Sequence, residues 1–150
     1  MNIRSVMTGI TAVQAAMAIT SPVTMSVKKA WPYMPPQSVL AGVAMPAWIN
    51  EWTLVRERRA ISMREQLYSV RMQLLVFDAD QDRAADIATA FMVVAVDAFD
   101  AAVTLGGTAT QQTLRGASPT LGRVEIGGAV YSAIDLFLDV EMKEAKEFTG

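Results

Sequence analysis

The sequence predicts an α+β domain, a mainly antiparallel sheet with two principal helices packed on one face. Three observations lead there. Leu67 to Phe77 alternates apolar and polar residues, Ala129 to Met142 does the same, and a long Ala-rich stretch with helical periodicity lies between them.

The first helix is read from Asn2 to about Ala18. Ile3, Val6, Met7, Ile10, Val13 and Met17 recur at steps of three and four and so share one helix face. Asn2 suits the N-cap, and Ser21-Pro22 ends the helix because proline drives the preceding residue out of the α region. Pro22, Pro32, Pro35, Pro36 and Pro46 then punctuate a stretch where short extended pieces are expected at Thr24 to Lys28 and Ser38 to Leu40. Thr53 to Arg59 is charged and strand-like. In the following strand Tyr68, Val70, Met72, Leu74 and Val76 form one face, with Ser69, Arg71 and Gln73 on the other.

Asp78, Asp80 and Asp82 open the second helix, where carboxylates complement the positive end of the macrodipole. Ile87, Phe91, Val94, Ala98 and Ala102 carry its periodicity to about Thr104, and Gly106-Gly107 closes it. The remainder reads as strands: Gln111 to Arg115, a turn at Gly116 to Gly122, Arg123 to Ile126, and a last strand after Gly127-Gly128. That strand places Val130, Ile134, Leu136, Leu138, Val140 and Met142 opposite Asp135, Asp139 and Glu141. Lys143 to Gly150, mixed in charge, is expected to be a mobile arm of the single domain 1–150.

Composition narrows the function classes. The 150 residues include no His and no Cys, which removes disulfides, thiolate metal sites and a Cys or His-activated nucleophile. A net charge of −2 argues against an electrostatic grip on nucleic acid. Apolar residues make up 52% of the chain, more than one compact domain of this size usually hides, and the surplus points to a permanent subunit interface. Ser5 to Val27 is uncharged but carries Thr8, Thr11, Gln14, Thr20, Ser21 and Thr24, too polar for a membrane span. The chain begins at Met1 without the dense apolar block of a secretory signal, so a soluble intracellular protein is expected.

Each candidate site has a plainer counterpart. Asp78, Asp80 and Asp82 have the opening of a calcium loop, yet Arg83 stands where that loop needs Gly and Thr89 where it needs Glu, so helix capping is the better reading. Gly106-Gly107 and Gly127-Gly128 lack the following Lys-Ser/Thr of a phosphate loop and read as turn glycines. Arg56, Arg58, Arg59 and Arg64 form a basic cluster interleaved with Glu51, Glu57 and Glu65, which suits an ion-pair network at a solvated or inter-subunit surface. Trp31, Tyr33, Trp48 and Trp52 suit either a contact patch or a core beneath a long loop. Lys28-Lys29 belongs to no serine–lysine arrangement, and Asp97 with Asp100 has the spacing of a wet helix face. Nothing here supports an enzyme, a cofactor or a metal.

The order of elements resembles the tail terminator proteins of long-tailed bacteriophages, small subunits that close the head-proximal end of the tail tube. The likeness lies in the N-terminal helix, the Pro-rich stretch ending near Met45-Pro46-Ala47, and the strand Tyr68-Ser69-Val70-Arg71-Met72-Gln73-Leu74. It continues through the helix after Asp82 and the pattern Tyr131-Ser132-Ala133 to Phe137-Leu138-Asp139-Val140. The resemblance covers most of the chain as an architectural pattern, without a short signature.

It implies a virion structural protein, assembled in the host cytoplasm as a hexameric ring. Such a ring binds the last tube subunits, stops their polymerisation and docks the head–tail connector proteins, while DNA passes through without specific binding. Ring formation would also cover open sheet edges. Trp31, Tyr33, Trp48, Trp52, Arg56, Arg58 and Arg59 are the expected interface. Because fixed cations in the lumen would retain phosphate, some of Glu51, Glu57, Glu65, Asp78, Asp80 and Asp82 are expected to face the channel. The alternatives are another neck component, an adaptor or stopper, or a small-molecule-binding or enzymatic α+β domain of similar layout.

Overall fold

The computed structural model describes residues 2–36, 39–40, 45–78, 80–114 and 120–145. Helix α1 spans Ile3–Ala15. Its N-cap is Asn2, whose side-chain oxygen accepts from the Ser5 backbone N–H at 2.9 Å. Three short strands follow, β1 (Ala18–Ile19), β2 (Met25–Ser26) and β3 (Lys29–Trp31). Strands β4 (Ala47–Arg59) and β5 (Met63–Val76) form a long hairpin, and helix α2 (Gln81–Ala101) comes next. Strands β6 (Gln111–Leu114), β7 (Thr120–Ile126) and β8 (Ala129–Ala145) complete the order.

The main sheet runs β3-β4-β5-β8-β6, with β7 also paired to β8, while β1 and β2 form a separate two-stranded ladder. All of its pairs are antiparallel except β3–β4, so the α+β reading holds with one parallel edge. Period-2 patterning placed the two longest strands correctly. Tyr68, Val70, Met72 and Leu74 stand opposite Val140, Leu138, Leu136 and Ile134, all on the helix-bearing face. Val6, Met7 and Ile10 of α1 and Ala84, Ile87, Ala88, Phe91, Ala95 and Phe99 of α2 pack onto that face. The opposite face is polar over most of its length. At one end it carries a smaller core of Trp31, Leu40, Ala47, Ile49, Leu75, Ile126, Tyr131 and Ala133.

Several boundaries differ from expectation. Helix α1 stops at Ala15, ahead of Ser21-Pro22, and Ala18–Ile19 leaves it as a strand, so apolar periodicity outlasts the helix by one buried residue, Met17. Val39 and Leu40 are helical where an extended piece was expected, and Ser38 lies outside the described residues. Strand β4 begins at Ala47, six residues before Thr53, because Ala47, Trp48, Ile49 and Asn50 are all buried and show no alternation. Thr120–Gly122 belongs to β7; the rest of the expected turn, 116–119, and Arg115 lie outside the described residues. Lys143–Ala145 is not an arm but the end of β8, paired with Met63–Glu65; residues 146–150 lie outside the described residues.

Two close approaches fix the helices. A Cβ on Gly9 of α1 would stand 2.7 Å from the Leu105 carbonyl oxygen and 2.8 Å from Thr108 Oγ1, so only glycine lets α1 meet the turn after α2. Helix α2 ends at Ala101 without a basic residue in its last turn. Its terminal carbonyls are met by Gln112 of β6, whose Nε2 donates to the Phe99 carbonyl and, at 3.0 Å, to that of Ala102. Gly106 and Gly107, expected to close the helix, sit in the turn beyond it at φ of 71° and 86°.

Candidate functional site

Beyond Asn50 strand β4 emerges from the covered part of the sheet, while β5 beside it stays paired with β8 as far as Met63. Nine consecutive residues, Glu51 to Arg59, are exposed, although a strand at the centre of a covered sheet would hide alternate ones. Pairing explains why. Strand β3 covers only Ala47, Trp48 and Ile49 of β4, so the outer edge of Asn50 to Arg59 has no neighbouring strand among the described residues. The inner edge pairs with β5 throughout, broken by a bulge between Leu54 and Arg56.

The edge of this β4 blade combines charges and a bulge, Glu51, Arg56, Glu57, Arg58 and Arg59 around the Leu54/Arg56 irregularity, with large exposed apolar side chains. Trp52 (46% exposed), Leu54, Val55, Ile61 (79% exposed) and Met63 stand in solvent on one hairpin. Trp52 is held from behind by Tyr68, whose ring it meets edge-on at 5.5 Å and 77°, so its orientation is set by the core. The bulge turns Arg56 and Arg58 to the helix-free face, with Glu65 opposite Arg58, and puts Glu57 and Arg59 on the helix side.

There Glu57 Oε1 accepts from Arg59 Nε at 2.8 Å and from Arg64 Nε at 3.1 Å. The Arg59 hydrogen bond is the chief cause that lowers the Glu57 pKa below its ordinary value, and Arg64 adds to it. On the helix-free face Arg71 sits between Asp135, at 3.1 Å, and Glu51, at 3.9 Å. Of the expected ion-pair network the structure forms the part around Glu57, with Arg59 and Arg64, while Glu51 pairs instead with Arg71.

The expected interface aromatics divide. Trp48 is wholly buried under the helices and Trp31 is buried in the smaller core, so both are core residues and are corrected as contact candidates. Tyr33 and Trp52 are exposed. The cause is a switch of environment along one strand: Trp48 precedes the point where β4 leaves the body and Trp52 follows it.

The expected channel acids divide as well, and no single surface holds them. Glu51 and Glu65 lie on the helix-free face and Glu57 on the helix side. Asp78, Asp80 and Asp82 are at the far end of β5, where Asp78 Oδ1 accepts from the Asp80 N–H, and Asp80 Oδ1 accepts from the N–H groups of Asp82 and Arg83. Asp78 also meets Arg83 at 3.5 Å. These are capping contacts, and among the described residues no group of three acids is arranged to hold a metal ion.

One feature of the body escaped sequence reading. Gln14, in a helix expected to be amphipathic, is wholly buried beside the equally buried Asn50. Gln14 Nε2 donates to Asn50 Oδ1 at 2.8 Å, and Asn50 Nδ2 donates to Gln14 Oε1 at 2.8 Å and to the Trp31 carbonyl at 2.7 Å. This ties α1, β3 and β4 together at the root of the blade. Its only signal in the sequence is Asn50 at the end of the apolar run from Ala47.

Among the described residues no helix is long and apolar enough to cross a membrane. A recess of about 320 Å³ at the tip of the blade is lined by Arg58, Arg59, Ala60, Met63 and Glu65. The arrangement offers a rigid, partly apolar strand edge with a charged tip, a geometry suited to contact with another protein chain. No protein-family model matches the chain, and no curated protein matches it in sequence.

Proposed function

We propose that this chain is a structural subunit of a ring that caps the head-proximal end of a bacteriophage tail tube, stops tube growth and joins the tail to the head connector. The observation that carries this reading is the β4 blade: a long strand edge without a neighbouring strand among the described residues, bearing Trp52, Leu54 and Val55 in solvent. An unpaired edge with apolar side chains in solvent favours strand addition or coverage by another subunit, and a closed ring supplies a cover without leaving a free end. The order of elements that resembles tail terminators supports the reading. It assigns the chain no catalytic step and no cofactor.

Negative-stain imaging of the purified protein over a concentration series, with and without its cognate tube protein, tests the proposal. The expected result is six-fold rings, or tubes capped at one end and held to a fixed length. A monomer or dimer that never caps tubes overturns it. Binding to portal-bound connectors without binding to tube subunits would instead assign the chain to an adaptor or stopper of the neck.

A further inference from the structure

We propose that the tip of the β4–β5 hairpin docks onto the acidic corner at the opposite end of the sheet in a second copy of this chain, a head-to-tail contact that repeats between subunits. This rests on the ring reading above and adds the surfaces that meet. The tip carries four arginines, Arg56, Arg58, Arg59 and Arg64, against two glutamates, Glu57 and Glu65, in a chain whose net charge is −2. Ile61 stands at its apex, the most exposed of the large apolar side chains in the described residues, with Met63 beside it.

The complementary surface is where β5 hands over to α2. Asp78, Asp80, Asp82 and Asp86 fall there within nine residues that include one arginine, Arg83, which meets Asp78, and Phe77 is 53% exposed beside them in sequence. Asp78 and Asp80 are occupied by capping, whereas the side chains of Asp82 and Asp86 are exposed and hold no ion pair among the described residues.

Position decides the occupant. Strand β5 has 14 residues, with the arginine tip at one end and the acidic corner just past the other. At about 3.3 Å per residue the two surfaces are roughly 40 Å apart. They cannot satisfy each other within one chain. A second copy brings both the opposite charge and an apolar partner, Phe77 for Ile61, and a contact between two different surfaces of one chain propagates around a ring or along a filament.

Sedimentation velocity of the full-length protein over a concentration series, at low and high salt, tests the contact, with circular dichroism to confirm folding. Wild type is expected to associate, and to associate more weakly at high salt. Arg58→Glu with Arg59→Glu, and separately Ile61→Asp, should each weaken association by about ten-fold or more. Asp82→Arg with Asp86→Arg should do the same, and combining the two reversed sets should restore association.

If the reversed helix start unfolds the chain, Asp86→Lys alone, one turn further in, takes its place. Association unchanged in the arginine and Ile61 variants overturns this contact and leaves the ring reading standing. Failure of the combined, folded variant to recover overturns the acidic corner as the docking surface. A wild type that stays monomeric throughout, with tube protein also present, overturns both.

Discussion

Trp48 and Trp52 are four residues apart on one strand and sit in opposite environments, so they separate folding from association. Trp48 is wholly buried, and Trp48→Ala should cost roughly 3–5 kcal/mol of folding stability in denaturant titration. Trp52 keeps 46% of its surface exposed and packs edge-on to Tyr68, so Trp52→Ala should leave stability nearly unchanged while reducing association in the same sample. Equal losses of stability in both variants would make Trp52 a core residue. At Glu57 the prediction concerns pH. Its folded-state pKa lies below the unfolded value, so its pairs with Arg59 and Arg64 contribute above the ordinary glutamate range, and that contribution disappears as pH falls through the lowered pKa. An NMR titration of the Glu57 carboxyl should show a midpoint below that of an ordinary glutamate, and Arg59→Gln should move it back up. A Glu57 midpoint unmoved by Arg59→Gln would assign the shift to another cause.

Among the elements, α2 depends on a partner that its own sequence does not contain. No basic residue stands in its last turn, and its end is met instead by Gln112, one strand later. Gln112→Ala removes a buried side chain and one of the two donors that each of the Phe99 and Ala102 carbonyls accepts from, and should lower stability by about 0.5–1.5 kcal/mol, with amide exchange rising first over the last turn of α2 and over β6. Uniform exchange across the sheet would mean that the cap is not local. The same contrast explains which elements were legible. β5, β8 and α2 could be read because each presents one buried and one wet face, so the period of the side chains reveals the period of the backbone. The start of β4 could not be read, because all four residues from Ala47 to Asn50 are buried and alternation vanishes. The burial of Gln14 could not be read for a related reason: periodicity reports which face is apolar, and a buried amide pair within that face looks polar in sequence. The separation of the channel acids was also invisible, since the bulge at Leu54/Arg56 reverses which residues of β4 share a face.

Taken as a whole, the molecule has two unlike faces. The helix-bearing face is fully covered in the body, while the helix-free face carries Glu51, Glu65, Asp135, Asp139 and Glu141 together with Arg56, Arg58, Arg71 and Lys143. The two signs nearly balance. In the proposed ring this is the face suited to a lumen through which DNA passes, because each fixed cation left without an acid would bind a phosphate and release its counterions, which retains the strand. Glu51 and Glu65 both lie on this face, Glu51 at 3.9 Å from Arg71 and Glu65 opposite Arg58. Glu51→Lys with Glu65→Lys adds two cations and removes two acids on the same face. Both side chains lie on the helix-free face, away from the helix core, and the changes leave the hairpin tip basic, so rings and capped tubes should still form in negative stain. DNA delivery by particles carrying this variant should be slowed or blocked, and purified rings should retain DNA in a filter-binding assay at low salt and release it at high salt. Normal delivery by particles that carry the variant would place a different surface in the channel.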